Sequence, residues 1–97
     1  MNEITLPFDI DPKYPPRYRI VMQTPQELPP NLLMDVLTKT FSLNVDQARQ
    51  LALPILRHEM VPHGTYSREI AEAKAFTLHQ FMLQNGRTLN TSISPCL

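Results

Sequence analysis

The stretch "VPHGTYSREIAEAK", Val61–Lys74, decides the fold. Its first half is a short extended run that enters a turn at Gly64, and Pro62 marks an edge or irregular strand position. Its second half opens a helix. Ser67 is a good N-cap, and Ala71, Ala75, Leu78 and Met82 recur at helical spacing, with Ile70 and Phe81 on the flank of that stripe. The pattern predicts a helix to about Asn85, stopped by Gly86. Charges on one helix support each other when they lie three or four residues apart. At that spacing Glu69 meets only Glu72, another carboxylate, and Lys74 meets no acid. Spacing alone reads both as part of a solvated helix face.

Outward from this stretch the other elements follow. "YRIVMQ", Tyr18–Gln23, is rich in β-branched and aromatic residues and reads as a strand. "TPQELPP" is a turn or loop. "NLLMDVLTKTF", Asn31–Phe41, is helical, with Leu33, Leu37 and Phe41 on one stripe and Pro30 suited to its first turn. In the next segment Asn44 and Gln47 make a capping box, and Val45, Ala48, Leu51, Ala52, Ile55 and Leu56 recur at helical spacing. Pro54 lies inside that pattern and is expected to kink the helix or end its regular bonding about one turn early. "TLNTSIS", Thr88–Ser94, alternates and reads as a last strand. The order β-α-α-β-α-β describes an α+β domain whose few strands need helices against them.

The 97 residues suit one small domain, and 42% apolar with 19% charged residues is a globular composition. Ten prolines against two glycines is unusual, and four of the prolines fall in the first 17 residues. Residues 1–17 therefore read as an extended arm, 18–94 as the domain and 95–97 as a tail. In the arm Ile4, Leu6, Phe8 and Ile10 alternate, so an edge strand and a mobile tail are equal readings. Nine basic and nine acidic residues cancel, which gives no general electrostatic reason to bind nucleic acid or a membrane. The single cysteine, Cys96, excludes an internal disulfide. The early acids do not suit a secretory signal, and no run approaches the ~18 apolar residues of a membrane span. The expectation is a soluble cytoplasmic protein.

No chemistry of catalysis is visible. Paired carboxylates, a glycine-rich phosphate loop and a cysteine–histidine pattern are all missing, so neither an enzyme nor a cofactor is expected. His58, His63 and His79 have generic spacing that assigns no metal site. Ser67 has no visible base and serves better as a cap.

The element order together with "HGTYSREIAEAK" resembles the ClpS family, adaptors of the Clp protease, whose members carry a stretch of the form C-G-x-[YF]-[ST]-x-E-[IV]-A-E-x-K. His63 stands where the family has cysteine. The likeness runs without gaps from Tyr18 to about Ser92: "YRIV" matches the first strand, "MDVLTKTF" the first helix and "NVDQARQLAL" the second. It implies a three-stranded antiparallel sheet with three helices packed on one side. It also implies docking on the N-terminal domain of a Clp ATPase, ClpA or ClpC, and delivery of proteins that begin with a bulky hydrophobic residue. The docking charges of the family fall on Glu69 and Lys74. Charges without a partner in their own helix are then free to meet charges on another protein, where such pairs chiefly set orientation and association rate.

The substrate side departs from the family. Its "N-D-D" turn and its helical histidine, which grip the substrate's α-amino group, fall on Thr24, Pro25, Gln26 and Leu56. An α-amino group is largely cationic at neutral pH and needs acceptors when it is desolvated. Thr24 and Gln26 offer neutral ones; Pro25 and Leu56 offer none from their side chains. Hydrogen bonds to a charged group contribute about 1.5–3 kcal/mol each, so losing two or three weakens binding by roughly a thousandfold. Glu27 is the nearest carboxylate, available as a substitute if Pro25, Pro29 and Pro30 rearrange the loop. Leu33 and Leu89 match apolar pocket positions, while Ala52 replaces a gatekeeping methionine and Leu28 the threonine that caps the first helix. The exchange leaves either a reshaped pocket or a repacked core. Phe76, among polar neighbours on the wheel, reads equally as an interface anchor and as a residue packed under the arm.

The expectation is thus an adaptor that binds a Clp ATPase and presents a non-standard set of substrates. The alternatives are a cargo-free regulator that competes with other adaptors on the same ATPase, and a metal- or small-ligand-binding domain that kept only the fold.

Overall fold

The computed structural model describes residues 16–96. The expectations for the first fifteen residues and for Leu97 lie outside the described residues. In chain order the elements are β1 (Arg17–Gln23), α1 (Pro30–Phe41), α2 (Val45–Leu56), β2 (Val61–Tyr66), α3 (Arg68–Gln84) and β3 (Asn90–Cys96). The strands form one antiparallel sheet in the order β2-β1-β3, and the three helices cover one face of it. This is the α+β architecture expected.

β1 is central because its alternation is clean. Ile20 and Met22 are fully buried under the helices, while Arg17 and Arg19 point to solvent on the open face. The two edge strands each carry a proline, Pro62 in β2 and Pro95 in β3, which removes a donor from the exposed edge. Both ends of the sheet run further than the sequence suggests. Arg17 pairs with Cys96 and Tyr18 with Pro95, so β1 takes a residue assigned to the arm and β3 takes two assigned to the tail.

The β1–β2 ladder breaks register near Tyr18. Tyr18 faces Tyr66 while Ile20 faces His63, so β2 carries one extra residue around Gly64 and Thr65. Gly64 has φ +80, which only glycine adopts readily. A side chain there would run into the Tyr66 ring, which lies over the glycine. The bulge therefore explains the glycine of the HGTY stretch.

α1 buries Leu33, Val36, Leu37, Thr40 and Phe41. It begins without a side-chain cap: Pro29 holds the N-cap position, Pro30 follows, and Leu28 is a core residue. α2 opens on the capping box of Asn44 and Gln47, with Gln47 N to Asn44 Oδ1 at 2.8 Å and Asn44 N to Gln47 Oε1 at 3.0 Å. Pro54 does not cut it short; the helix continues to Leu56, with the proline in its last turn. Val45, expected on the apolar stripe, is exposed at the helix start. Ser67 caps α3 by accepting from Ile70 N at 3.3 Å, and Gly86, at φ +71, ends the turn that follows.

Candidate functional site

Two surfaces carry the residues singled out by the sequence. The first is the start of α3. Glu69 stands in its first turn, exposed, where the helix N-terminus favours a negative charge. It enters no ion pair among the described residues.

Lys74 is not the free cation that helical spacing suggests. It is half-buried, and its Nζ donates to the backbone carbonyl of Thr40 at 2.9 Å. That oxygen is one of the last four of α1, which have no acceptor role inside the helix, so a cation there is doubly favoured. The ammonium also lies 5.9 Å from the Phe41 ring centre and 5.5 Å from that of Tyr66. Phe41 and Tyr66 lie nearly parallel, with centres 6.4 Å apart and planes at 17°. His63 meets Phe41 edge-on at 4.5 Å, and burial lowers its pKa from the ordinary 6.5. Burial likewise raises the Tyr66 pKa. An ammonium has three donors. One is spent on Thr40, which fixes the charge in place and leaves two.

The second surface is the junction of the β1–α1 loop with the α2–β2 turn. Thr24 is buried, and its hydroxyl is used twice within the loop: it donates to Gln26 O and accepts from Gln26 N at 3.3 Å. Pro25 and Gln26 are exposed. Leu33, Ala52 and Leu89 are buried in one continuous core, and Leu56 packs half-buried against it. The apolar pocket positions are thus brought together, but as packed interior with essentially no accessible side chain. A shallow cleft of about 270 Å³ lies alongside, lined among others by Val21, Gln23, Met60 and Asn90.

His58 is the residue of this surface that sequence reading missed. Its φ is +65, an uncommon conformation for a side chain of this size. Its Nδ1 is 3.1 Å from Thr24 O, its own carbonyl accepts from Gln23 Nε2 at 3.2 Å, and its Nε2 faces Glu27 Oε1 at 3.6 Å. His63 lies in β2 against Phe41, and no group of three His, Cys, Asp or Glu side chains gathers as for a metal among the described residues. No helix among them is long and apolar enough to cross a membrane. Phe76 is 64% exposed on the outer face of α3.

Residues 13–92 match the family model described as ATP-dependent Clp protease adaptor protein ClpS. An ATP-dependent Clp protease adapter protein ClpS of Xanthomonas oryzae pv. oryzae is 33% identical over 75 residues, covering 77% of this chain and 71% of the relative. The protein of the same name from Desulfotalea psychrophila is 29% identical over 85 residues, covering 88% and 83%. Among solved structures, Agrobacterium tumefaciens ClpS2 bound to L-phenylalaninamide superposes with a TM-score of 0.78 at 22% identity, covering 84% of this chain and 99% of the other.

Proposed function

The chain belongs to the ClpS family of ATP-dependent Clp protease adaptors, and from that premise we propose that it docks on the N-terminal domain of a Clp ATPase, ClpA or ClpC, through the start of α3. The observation that carries this reading is the fixed position of the Lys74 ammonium, held at the end of α1 within about 6 Å of the Phe41 and Tyr66 rings, on the same helix as an exposed Glu69 that has no ion-pair partner among the described residues. A charge already immobilised loses little rotamer freedom on binding. Electrostatic pairs made from such positions set the orientation of the complex. Calorimetric titration of the protein with an isolated Clp ATPase N-terminal domain tests this. Binding is expected for the unaltered protein and is expected to fall by about tenfold or more for Glu69→Lys; no heat for the unaltered protein contradicts the reading.

On the cargo side the protein is read as an adaptor with altered selection. The Agrobacterium protein was solved with L-phenylalaninamide, an amino-acid amide with an aromatic side chain. In the present chain Leu33 and Ala52 are packed in the core, Leu89 is buried at the floor of the cleft, and Thr24 uses its hydroxyl within its own loop, which supports a seat of different shape. The burial of Leu33 and Ala52 favours a second reading, a regulator that occupies the ATPase without cargo. Competition separates the two. A regulator lowers degradation of another adaptor's substrate and binds no peptide, whereas an adaptor with altered selection binds one.

A further inference from the structure

We propose that the open face of the sheet, the face turned away from the helices, is the seat of the chain's own residues 3–11. Residues opposite one another in a ladder share a face, so Arg19 lies with Ser94, and Val21 lies with Pro62 and Ser92. Arg17 is on the same side by the period of the strand. Between them runs a depression of about 310 Å³, in which the apolar Val21 and Pro62 lie beside Arg19 and Cys96. The three strands place two arginines on this face and contain no carboxylate. Arg17 donates to Thr65 O at 3.1 Å, which leaves most of its donors free, and Arg19 enters no ion pair among the described residues. Such a face fits an occupant that is acidic and apolar at once.

Residues 3–11, "EITLPFDID", have that composition. Glu3, Asp9 and Asp11 stand against the single base Lys13 in the first fifteen residues, so acid exceeds base before the domain and base exceeds acid within it. The even positions Ile4, Leu6, Phe8 and Ile10 are apolar, and the odd ones hold all three acids. An extended segment of this pattern offers apolar side chains to Val21 and Pro62 along one side and carboxylates to the long Arg17 and Arg19 side chains along the other. The segment is also tethered at the right place. Pro16 joins it to Arg17, the first residue of the central strand. Residues 12–16 span up to about 16 Å, enough for the chain to turn back over Arg19. A tether so short makes the contact intramolecular, at an effective concentration of order millimolar, so a weak contact suffices. The seat lies on the face opposite the helices, and α3 stays open; the inference therefore does not depend on the adaptor reading.

The test is paramagnetic broadening in the full ¹⁵N-labelled protein, with a nitroxide attached at Thr5→Cys in a Cys96→Ser background. Position 5 carries no charge and belongs to the polar side of the alternation. Amide intensity is expected to be lost at Val21, Ser92 and Ser94 and kept in α1 and α2. The loss is expected to be reversed by Asp9→Lys with Asp11→Lys, and separately by Arg19→Glu, an exposed position whose exchange leaves the helix amides unmoved. No loss on the open face, loss centred on the helices, or loss unchanged by either exchange overturns the inference. A second sample mixes ¹⁵N-labelled protein without nitroxide and unlabelled protein with it. Intensity kept in the mixture upholds a seat within one chain; the same loss in the mixture assigns the segment to a second copy and overturns it.

Discussion

The ammonium of Lys74 lies 2.9 Å from the carbonyl oxygen of Thr40, so the helix that carries the proposed docking face also closes the end of α1. This ties docking to stability. In Lys74→Met the aliphatic stem and its packing remain while the charge and the hydrogen bond go. Stability is expected to fall by about 1 kcal/mol, together with affinity for the ATPase domain. Urea unfolding checks the first; unchanged stability would mean that the contact contributes nothing in solution.

Beside that contact, the Thr40 hydroxyl is buried without a hydrogen-bond partner among the described residues. Replacing it by a methyl group removes the unsatisfied polar atom and keeps the shape. Thr40→Val is expected to raise stability by about 1 kcal/mol, seen as a higher urea midpoint. A loss of stability would show that the hydroxyl is bonded after all.

Gly64→Ala places a methyl group against the Tyr66 ring on a backbone with φ +80. The left-handed strain and the overlap together are expected to destabilise by roughly 2–4 kcal/mol. The aromatic setting of Lys74 goes with Tyr66, so docking weakens too. A melting temperature equal to that of the unaltered protein contradicts the account of the bulge.

His63 predicts a pH dependence. Burial holds its folded pKa below the ordinary 6.5 of the unfolded chain. The unfolded chain therefore takes up the proton first. The stability linked to His63 is complete above pH 6.5 and is lost as pH falls through the lower folded value. The drop in urea midpoint from neutral pH to pH 5 is expected to be smaller in His63→Leu than in the unaltered protein. Equal drops would assign the effect to other groups.

Much of the fold was legible because its signals are local. The Asn44–Gln47 capping box, the Ser67 cap, the Gly86 stop and the stripe Leu33, Leu37, Phe41 act within one or two helical turns, and the structure contains each of them. Pro54 falls in the last turn of α2, where its missing N–H interrupts the ladder without cutting the helix short of Leu56. At the candidate sites the local signal ran out. The contacts Lys74 to Thr40 and His58 to Thr24 each span 34 residues, so neither appears in any helical or strand period. Charge spacing within α3 describes what Lys74 cannot reach on its own helix, and says nothing of the end of α1. The substitutions at Thr24, Pro25 and Leu56 were plain in the sequence, whereas the closing of the core over Leu33, Ala52 and Leu89 depends on packing among three elements.

The measurement that bears most directly on the account is an amide chemical-shift map of the ¹⁵N-labelled protein during titration with an unlabelled Clp ATPase N-terminal domain. The largest changes are expected at the start of α3, from Ser67 to Lys74, and at the end of α1 beside Thr40, with little change in the loop from Thr24 to Leu28. No change on saturation, or changes centred on the Thr24–Leu28 loop with α3 unaffected, would contradict it.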